Sequence, residues 1–400
     1  MIQIDVADLK VGMQVTGVID PKTKGSVKRC GVVRNEDVIQ QLKNKGIKQV
    51  YISHLPDEQP LDTSVTLNEA PLIHKKPNNK EKQTPHIKAS QYSALDRALS
   101  ESKKVFENYS KVINSNGQVD ANESIRISNL LTDNIILDKD SLILLTLAKN
   151  QNSDLFEHLV NTGVLSGIFA KSLGYDRTII QHLVLAGLFH DIGKVLIPKQ
   201  LTHTACLNPE PSPLIKGHIA LARDILNRQF PDMPAISKTA ALQSCQRING
   251  SGYPSGRFKN DISFFAKIIA IVDQFEMIRS QQDMDSTLIV LKALLSEADK
   301  SLSTPLVHQF IKCIGSYPPG TLVLIQQHQT QRLALVTHFY NSAPTKPKVK
   351  VFYNVNSKHY IKTKNMDLSS PHCGFSIKGA SSPKAFNIDM SKLLNQYFFT

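Results

Sequence analysis

At the start of the chain Ile2, Ile4 and Val6 alternate with polar residues, the spacing that turns one face of a strand toward a core. Gly12-Met13-Gln14-Val15 predicts a turn into a second strand. Val38-Ile39-Gln40-Gln41-Leu42 begins a short helix that Gly46 ends, and Gln49-Val50-Tyr51-Ile52 is β-prone. Residues 1–60 therefore read as a small α+β domain. Residues 61–92 turn to Pro, Lys, Asn, Asp and Thr with little periodicity, which is how a linker looks.

Near Ser93 the spacing becomes helical and stays so, with breaks, to about 314. Leu95, Leu99, Val105 and Phe106 fit helical faces, as do Ile135, Ile136, Leu142, Leu145 and Leu147. A helix from Asp154 to Leu173 is followed by Gly174, and further segments are predicted at 176–191, 213–229, 234–247, 263–279 and 286–298. Residues 93–315 thus form an all-helical domain. The period changes again after Ser316-Tyr317-Pro318-Pro319-Gly320. Thr321 to Ile325, Leu333 to Phe339 and Val349 to Tyr353 are strand-like, so 316–368 reads as a small β meander. Residues 369–400 are expected to be a tail, loosely ordered until Leu393 and Leu394. The fold class is mainly α, with no internal repeat or coiled-coil heptad run.

Composition narrows the setting. Four hundred residues suffice for more than one domain, and 41% hydrophobic with 20% charged is ordinary for a globular chain. No uninterrupted apolar run looks long enough to cross a bilayer, and Met1-Ile2-Gln3-Ile4-Asp5 lacks the order of a secretion signal. A cytoplasmic protein with no membrane partner is expected. Cys30, Cys206, Cys245, Cys313 and Cys373 are scattered and form no C-x-x-C, which fits a reducing compartment. The formal charge is +13, but lysines cluster in the linker, as in His74-Lys75-Lys76. No basic helix interleaves with aromatics, so no nucleic-acid partner is expected.

The candidate chemistry centres on Gly187-Leu188-Phe189-His190-Asp191-Ile192-Gly193-Lys194, which runs off an apolar helix. A buried carboxylate without a partner is costly, so His190 and Asp191 either pair with each other or hold a cation. A structural His–Asp contact would leave the same pair in the sequence. His158 lies on another predicted helix, and Asp273 sits inside the strongly apolar Lys267–Phe275. One divalent metal contacted by His158, His190, Asp191 and Asp273 would account for all four. Histidine with carboxylate suits Fe, Mn or Zn.

The order His158, His190-Asp191-Ile192-Gly193-Lys194, His218, Arg247-Ile248-Asn249-Gly250-Ser251-Gly252-Tyr253-Pro254 and Asp273 resembles the HD-GYP family. These are bacterial members of the HD phosphohydrolase superfamily that open and hydrolyse cyclic dinucleotides such as cyclic di-GMP. The resemblance covers roughly 93–314. Leu9-Lys10-Val11-Gly12-Met13 and Gly46–Ile52 also resemble a domain of unknown function found ahead of HD-GYP domains, and the β tail follows some of them too. The resemblance implies a first metal on His158, His190, Asp191 and Asp273. Asp191 would bridge to a second metal that His218 also ligates, with Ile219 where a proline is usual. Asp154 falls where some members ligate a third metal, although a helix N-cap is the better explanation. Asp191 and Lys194 are then the catalytic residues, and Lys194, Arg247, Gly252, Tyr253 and Pro254 the substrate-binding ones.

Departures from the family pattern bear on activity. Ser244-Cys245-Gln246 stands where the family has His-His-Glu, Asn249 replaces an Asp, and Gln281–Asp285 occupies the place of an Arg-Pro-Tyr element. Serine is a poor ligand for a divalent ion. Cys245 is either a zinc thiolate or a buried, unliganded thiol. The expectation is one firmly bound divalent metal and impaired hydrolysis. The alternatives are an active phosphodiesterase with an atypical metal centre, or a non-catalytic adaptor for signalling proteins such as diguanylate cyclases.

Overall fold

Alternation at the start of the chain builds a small antiparallel sheet. Strands β1 (Ile2–Asp5), β2 (Gln14–Ile19), β3 (Ser26–Val27), β4 (Gly31–Val32) and β5 (Gln49–Ile52) join one helix, α1 (Glu36–Asn44). β5 lies between β1 and β2, with Ile4 opposite Val50 and Val18 opposite Val50 on the other side. Val6, Leu9, Val15, Val33, Ile39 and Val50 bury together as its core. The computed structural model describes residues 2–9, 14–19, 26–27, 31–33, 36–44, 46–52, 89–148, 154–199, 201, 212–254, 261–280, 287–340, 343–390 and 392–393. Lys10–Met13, most of the expected linker, Cys30, Cys206, Gln281–Asp285 and Leu394 lie outside these residues.

The helical spacing yields α2 (Ala89–Asn114), α3 (Ala121–Leu137), α4 (Lys139–Ala148), α5 (Leu155–Ser172) and α6 (Arg177–Phe189). These are followed by α7 (Pro213–Lys216), α8 (His218–Gln229), α9 (Ala235–Leu242), α10 (Phe264–Ser280), α11 (Thr287–Ser296) and α12 (Thr304–Ile314). Asp120, Asp154 and Asp176 each cap a helix by accepting from a backbone N–H in its first turn. Two expected boundaries move. The predicted 213–229 helix divides at Gly217, and α9 ends at Leu242, so Ser244 and Cys245 lie in the turn after it. Arg177–Leu196 is apolar and long enough by composition to cross a membrane, against the expectation of none. It is the core of this fold, with 72% of its apolar window buried.

Edge-to-face aromatics lock the helices together. Phe189 at the end of α6 meets Phe106 of α2 at 5.0 Å and Phe230 after α8 at 4.6 Å between centroids. Two close backbone approaches set the site. A Cβ at Gly187 would lie 2.7 Å from the Gly163 backbone, so α5 and α6 touch without side chains between them. A Cβ at Gly193 would lie 2.0 Å from the His218 carbonyl oxygen, which brings the 3-10 turn Ile192–Leu196 onto the start of α8.

The second sheet runs in the order β10-β6-β7-β8-β9, formed by β6 (Leu322–Gln327), β7 (Thr330–Tyr340), β8 (Ala343–Asn354), β9 (His359–Asp367) and β10 (Ser376–Ala380). Period-two alternation gives it two apolar faces. Leu322, Leu333, Leu335 and Phe352 join the helical core, while Val323, Ile325, Ala334, Val336, Val349 and Val351 form a core of their own. The stretch after Ser369, expected to be loosely ordered, supplies β10, which pairs antiparallel with β6. Phe375 and Ile377 pack against the sheet's own core, which holds that strand in place.

Candidate metal centre

Four donor atoms from three helices meet beside the end of α6. His158 projects from the first turns of α5, His190 follows α6 directly, Asp191 comes next, and Asp273 lies in the middle of α10. The His158 and His190 Nε2 atoms are 3.1 Å apart. Asp273 Oδ1 is 3.2 Å from the first and 3.4 Å from the second, and Asp191 Oδ2 is 3.7 and 3.5 Å from them. His190, Asp191 and Asp273 are buried.

These separations fit ligands around one cation. Metal–nitrogen and metal–oxygen bonds near 2.1 Å in a tetrahedral site place neighbouring donors about 3.4 Å apart. The tautomer agrees. His190 Nδ1 is 2.7 Å from the Gly187 carbonyl, which can only accept, so the neutral ring carries its lone pair at Nε2, toward the site. Among the described residues, the buried Asp273 Oδ1 has no hydrogen-bond partner in good geometry. Burial alone would raise the Asp273 pKa, yet His158 and His190 hold its carboxyl well below the usual range. Asp191 is lowered in the same way, against burial, by Lys194, His190 and His218.

On the far side of Asp191 stands a second group. His218, the first residue of α8, lies with Nδ1 2.6 Å from the Ile215 carbonyl and Nε2 3.0 Å from Asp191 Oδ1. Cys245 Sγ is 3.8 Å from the same Nε2. Burial would lower the His218 pKa, but Asp191 and Cys245 together outweigh it and raise the imidazole to about 10. For Cys245 burial raises the pKa, and His218 brings it below the ordinary thiol value. Ser244 turns away, its Oγ donating to the Ala241 carbonyl at 2.8 Å.

The remaining expected residues ring this centre. Lys194 Nζ donates to Asp191 Oδ2. Burial would strip its proton, yet Asp191 and Asp273 keep it charged. Arg247 donates to the Ser244 and Gln246 carbonyls at 3.1 Å and to Gln274 Oε1 at 3.3 Å, so its guanidinium spans to α10 beside Asp273. Gly252 packs on the backbone of residues 245–247, the Tyr253 ring meets His218 edge-on at 5.9 Å, and the Pro254 carbonyl accepts from Gln246 Nε2 at 2.7 Å. Asp154 stands apart from both donor groups as the N-cap of α5, paired with Lys103 at 2.6 Å.

The sequence reading missed a buried polar network one turn along from two of the donors. Asn161 donates to Glu276 Oε2 at 3.1 Å, and Arg279 binds both Glu276 oxygens at 2.8 and 2.9 Å. Asn161 and Glu276 each follow a proposed ligand by three positions in an apolar helix, and that spacing was the signal that could have found them.

Residues 142–296 match the HD domain family, and residues 1–121 match a domain of unknown function (DUF3391). Over 64% of its length the chain is 26% identical to a cyclic di-GMP phosphodiesterase of Pseudomonas aeruginosa, covering 62% of that protein. It is 30% identical to a cyclic di-GMP phosphodiesterase of Thermotoga maritima over 35% of this chain and 38% of that protein. It is also 33% identical to a 3'3'-cGAMP-specific phosphodiesterase of Vibrio cholerae over 30% of this chain and 28% of that protein. The chain thus spans less than two thirds of the length of each of these relatives. The HD domain family is metal-dependent, and the two donor groups are candidate metal-binding residues. With the His190-Asp191 pair at the end of α6 and Tyr253 of the Gly-x-Gly-Tyr-Pro loop against His218, residues 142–296 belong to the HD domain family, and the matches support an HD-GYP member with a DUF3391 domain ahead of it.

Proposed function

We propose that this chain is a cyclic-dinucleotide signalling protein of the cytoplasm that binds cyclic di-GMP and hydrolyses it weakly. The observation that carries this reading is the convergence of His158, His190, Asp191 and Asp273, whose donor atoms stand 3.1 to 3.7 Å apart. These four would hold a divalent ion (Fe, Mn or Zn), which supplies Lewis acidity toward a phosphoryl oxygen. Lys194 and Arg247 provide charge-assisted contacts to phosphate oxygens, and the Gly252-Tyr253-Pro254 loop shapes the wall against the nucleotide. Hydrolysis is weak because Ser244 bonds its own helix end and offers nothing to the centre. In the proposed division, 1–60 is the accessory domain, 61–92 the linker, 93–315 the catalytic-type domain, 316–368 the sheet and 369–400 the tail. A diguanylate cyclase is the expected class of protein partner.

Calorimetry with cyclic di-GMP tests binding, and a hydrolysis assay on the same sample tests the chemistry. The reading predicts binding with slow turnover, and a rise in turnover of at least tenfold in the Ser244→His, Cys245→His double variant. Absence of binding sinks it, and an unchanged rate removes the explanation for weak hydrolysis. A second reading, a working phosphodiesterase with an unorthodox centre, is favoured by Cys245 lying 3.8 Å from His218 Nε2. Brisk turnover of the natural sequence would select it.

A further inference from the structure

The interleaving of cations with aromatic rings that no helix shows is carried by a strand. Between Ser316 and Ile388 the chain has nine lysines and arginines and one carboxylate, Asp367, so this region carries +8 of the chain's net +13. That carboxylate is engaged, with Tyr340 donating to one oxygen at 2.7 Å and Ser369 to the other at 2.6 Å. β9 is the outer strand of the sheet, beyond β8. Along it Tyr360, Lys362 and Lys364 are exposed while Ile361 and Thr363 are half-buried, so one side of the strand presents a ring and two ammonium groups in turn. Lys358, also exposed, precedes them in the turn between β8 and β9. Tyr360 is 53% exposed, yet its ring is fixed. It stacks on Phe352 with 6.2 Å between centroids and 30° between planes, and meets Tyr353 edge-on at 5.3 Å. Phe352 belongs to the buried helical core, which anchors this platform. Lysines alone on an edge strand serve as guards against strand pairing. A fixed, exposed ring among them serves no such purpose and offers a π-face to a flat partner.

We propose that the β8–β9 hairpin binds single-stranded nucleic acid, with a base stacked on Tyr360 and phosphates taken by Lys358, Lys362 and Lys364. Successive exposed residues on a strand stand about 6.8 Å apart, a repeat that an extended sugar–phosphate chain can follow. A stacking platform beside a cationic track holds a strand of any sequence, because every base has a π-face. An anionic membrane fits less well, because Asn356-Ser357-Lys358 at the hairpin's end offers no apolar side chain to insert. The hairpin shares no residue with the metal centre, so the proposal stands independently of the cyclic-dinucleotide reading.

The test is fluorescence anisotropy of the full chain with labelled oligouridylate and oligodeoxythymidylate of about 15 nucleotides, over a range of salt. The expected result is saturable binding that weakens as salt rises; binding of either oligomer supports the proposal, and the preference between them tells RNA from DNA. Lys362→Ala combined with Lys364→Ala should flatten the slope of log affinity against log salt by about 1.4, for two phosphate contacts at about 0.7 each. Tyr360→Ala should weaken binding about tenfold or more without changing that slope, while Tyr360→Phe, which keeps the ring face, should stay within about twofold of the natural chain. No binding at low salt overturns the proposal. So does binding that both the lysine and the Tyr360→Ala variants leave untouched, which would place it on lysines elsewhere in the chain. Tighter capture by phosphatidylglycerol vesicles than by either oligomer, lost in the same variants, overturns it in favour of a membrane surface.

Discussion

Asp273 and Glu276 sit three residues apart on α10, and their different partners explain why both are tolerated in an apolar helix. Glu276 has Arg279 and Asn161 as donors, whereas Asp273 faces two imidazole nitrogens and a second carboxylate. Glu276 should therefore be structural. Glu276→Ala removes one member of a buried ion pair and should cost about 3 kcal/mol in urea unfolding, with metal content per folded chain unchanged. Loss of metal at full stability would move Glu276 into the metal centre. At this scale the sequence was informative where a residue contradicts its surroundings, as Asp273 does among Ile268, Ile271 and Val272. For Cys245 it left a zinc thiolate and an unliganded thiol open, because only folding brings a turn after α9 against the start of α8. Nor could it say that Arg247 reaches α10 and Gln274.

Between elements, contact without side chains decides the geometry. Gly187 and Gly163 let α5 and α6 approach until His158 and His190 stand 3.1 Å apart, across 32 residues of sequence. A methyl at Gly187 meets backbone, which cannot rotate away, so Gly187→Ala should cost about 1–3 kcal/mol and part the two helices. The checks are urea unfolding and metal retained after dialysis, and both should fall. Retention of full metal affinity would show that the helix approach does not position the ligands. Most helices were readable from their apolar period, because each buries a wide face. The end of the predicted 234–247 helix was not. Gln243–Gln246 is as buried as a helix but leaves the helix to form turns, and burial alone does not distinguish the two.

Across the whole molecule, an apolar face and a His338–Asp140 contact join the C-terminal sheet to the helices. His338 of β7 binds Asp140 in the first turn of α4, beside Lys139 over the Phe339 ring. Burial pushes the Asp140 carboxyl up from its ordinary 3.8, but His338 and Lys139 together outweigh it and the net shift is downward. A depressed folded pKa means that this increment is complete above 3.8 and is lost as pH falls through the folded value. Asp140→Asn should cost about 1–3 kcal/mol at pH 7, and the gap to the natural sequence should close toward pH 3. Urea unfolding at the two pH values measures it, and a gap independent of pH would assign the cost to packing. The sheet was legible in its three apolar strands. β9 and β10 were hidden because lysines and glycine dilute their alternation, and β10 is recruited by β6, about fifty residues earlier in the chain.

The account as a whole depends on a cation held between α5, the end of α6 and α10. Elemental analysis of the full chain, purified without added ions and compared with Asp273→Asn, tests this most directly. The account predicts at least about one divalent ion per natural chain and a loss of 10-fold or more in metal affinity for the variant, with the fold retained by circular dichroism. A natural chain that binds no divalent ion even when one is supplied, or a variant that binds as tightly, would contradict it.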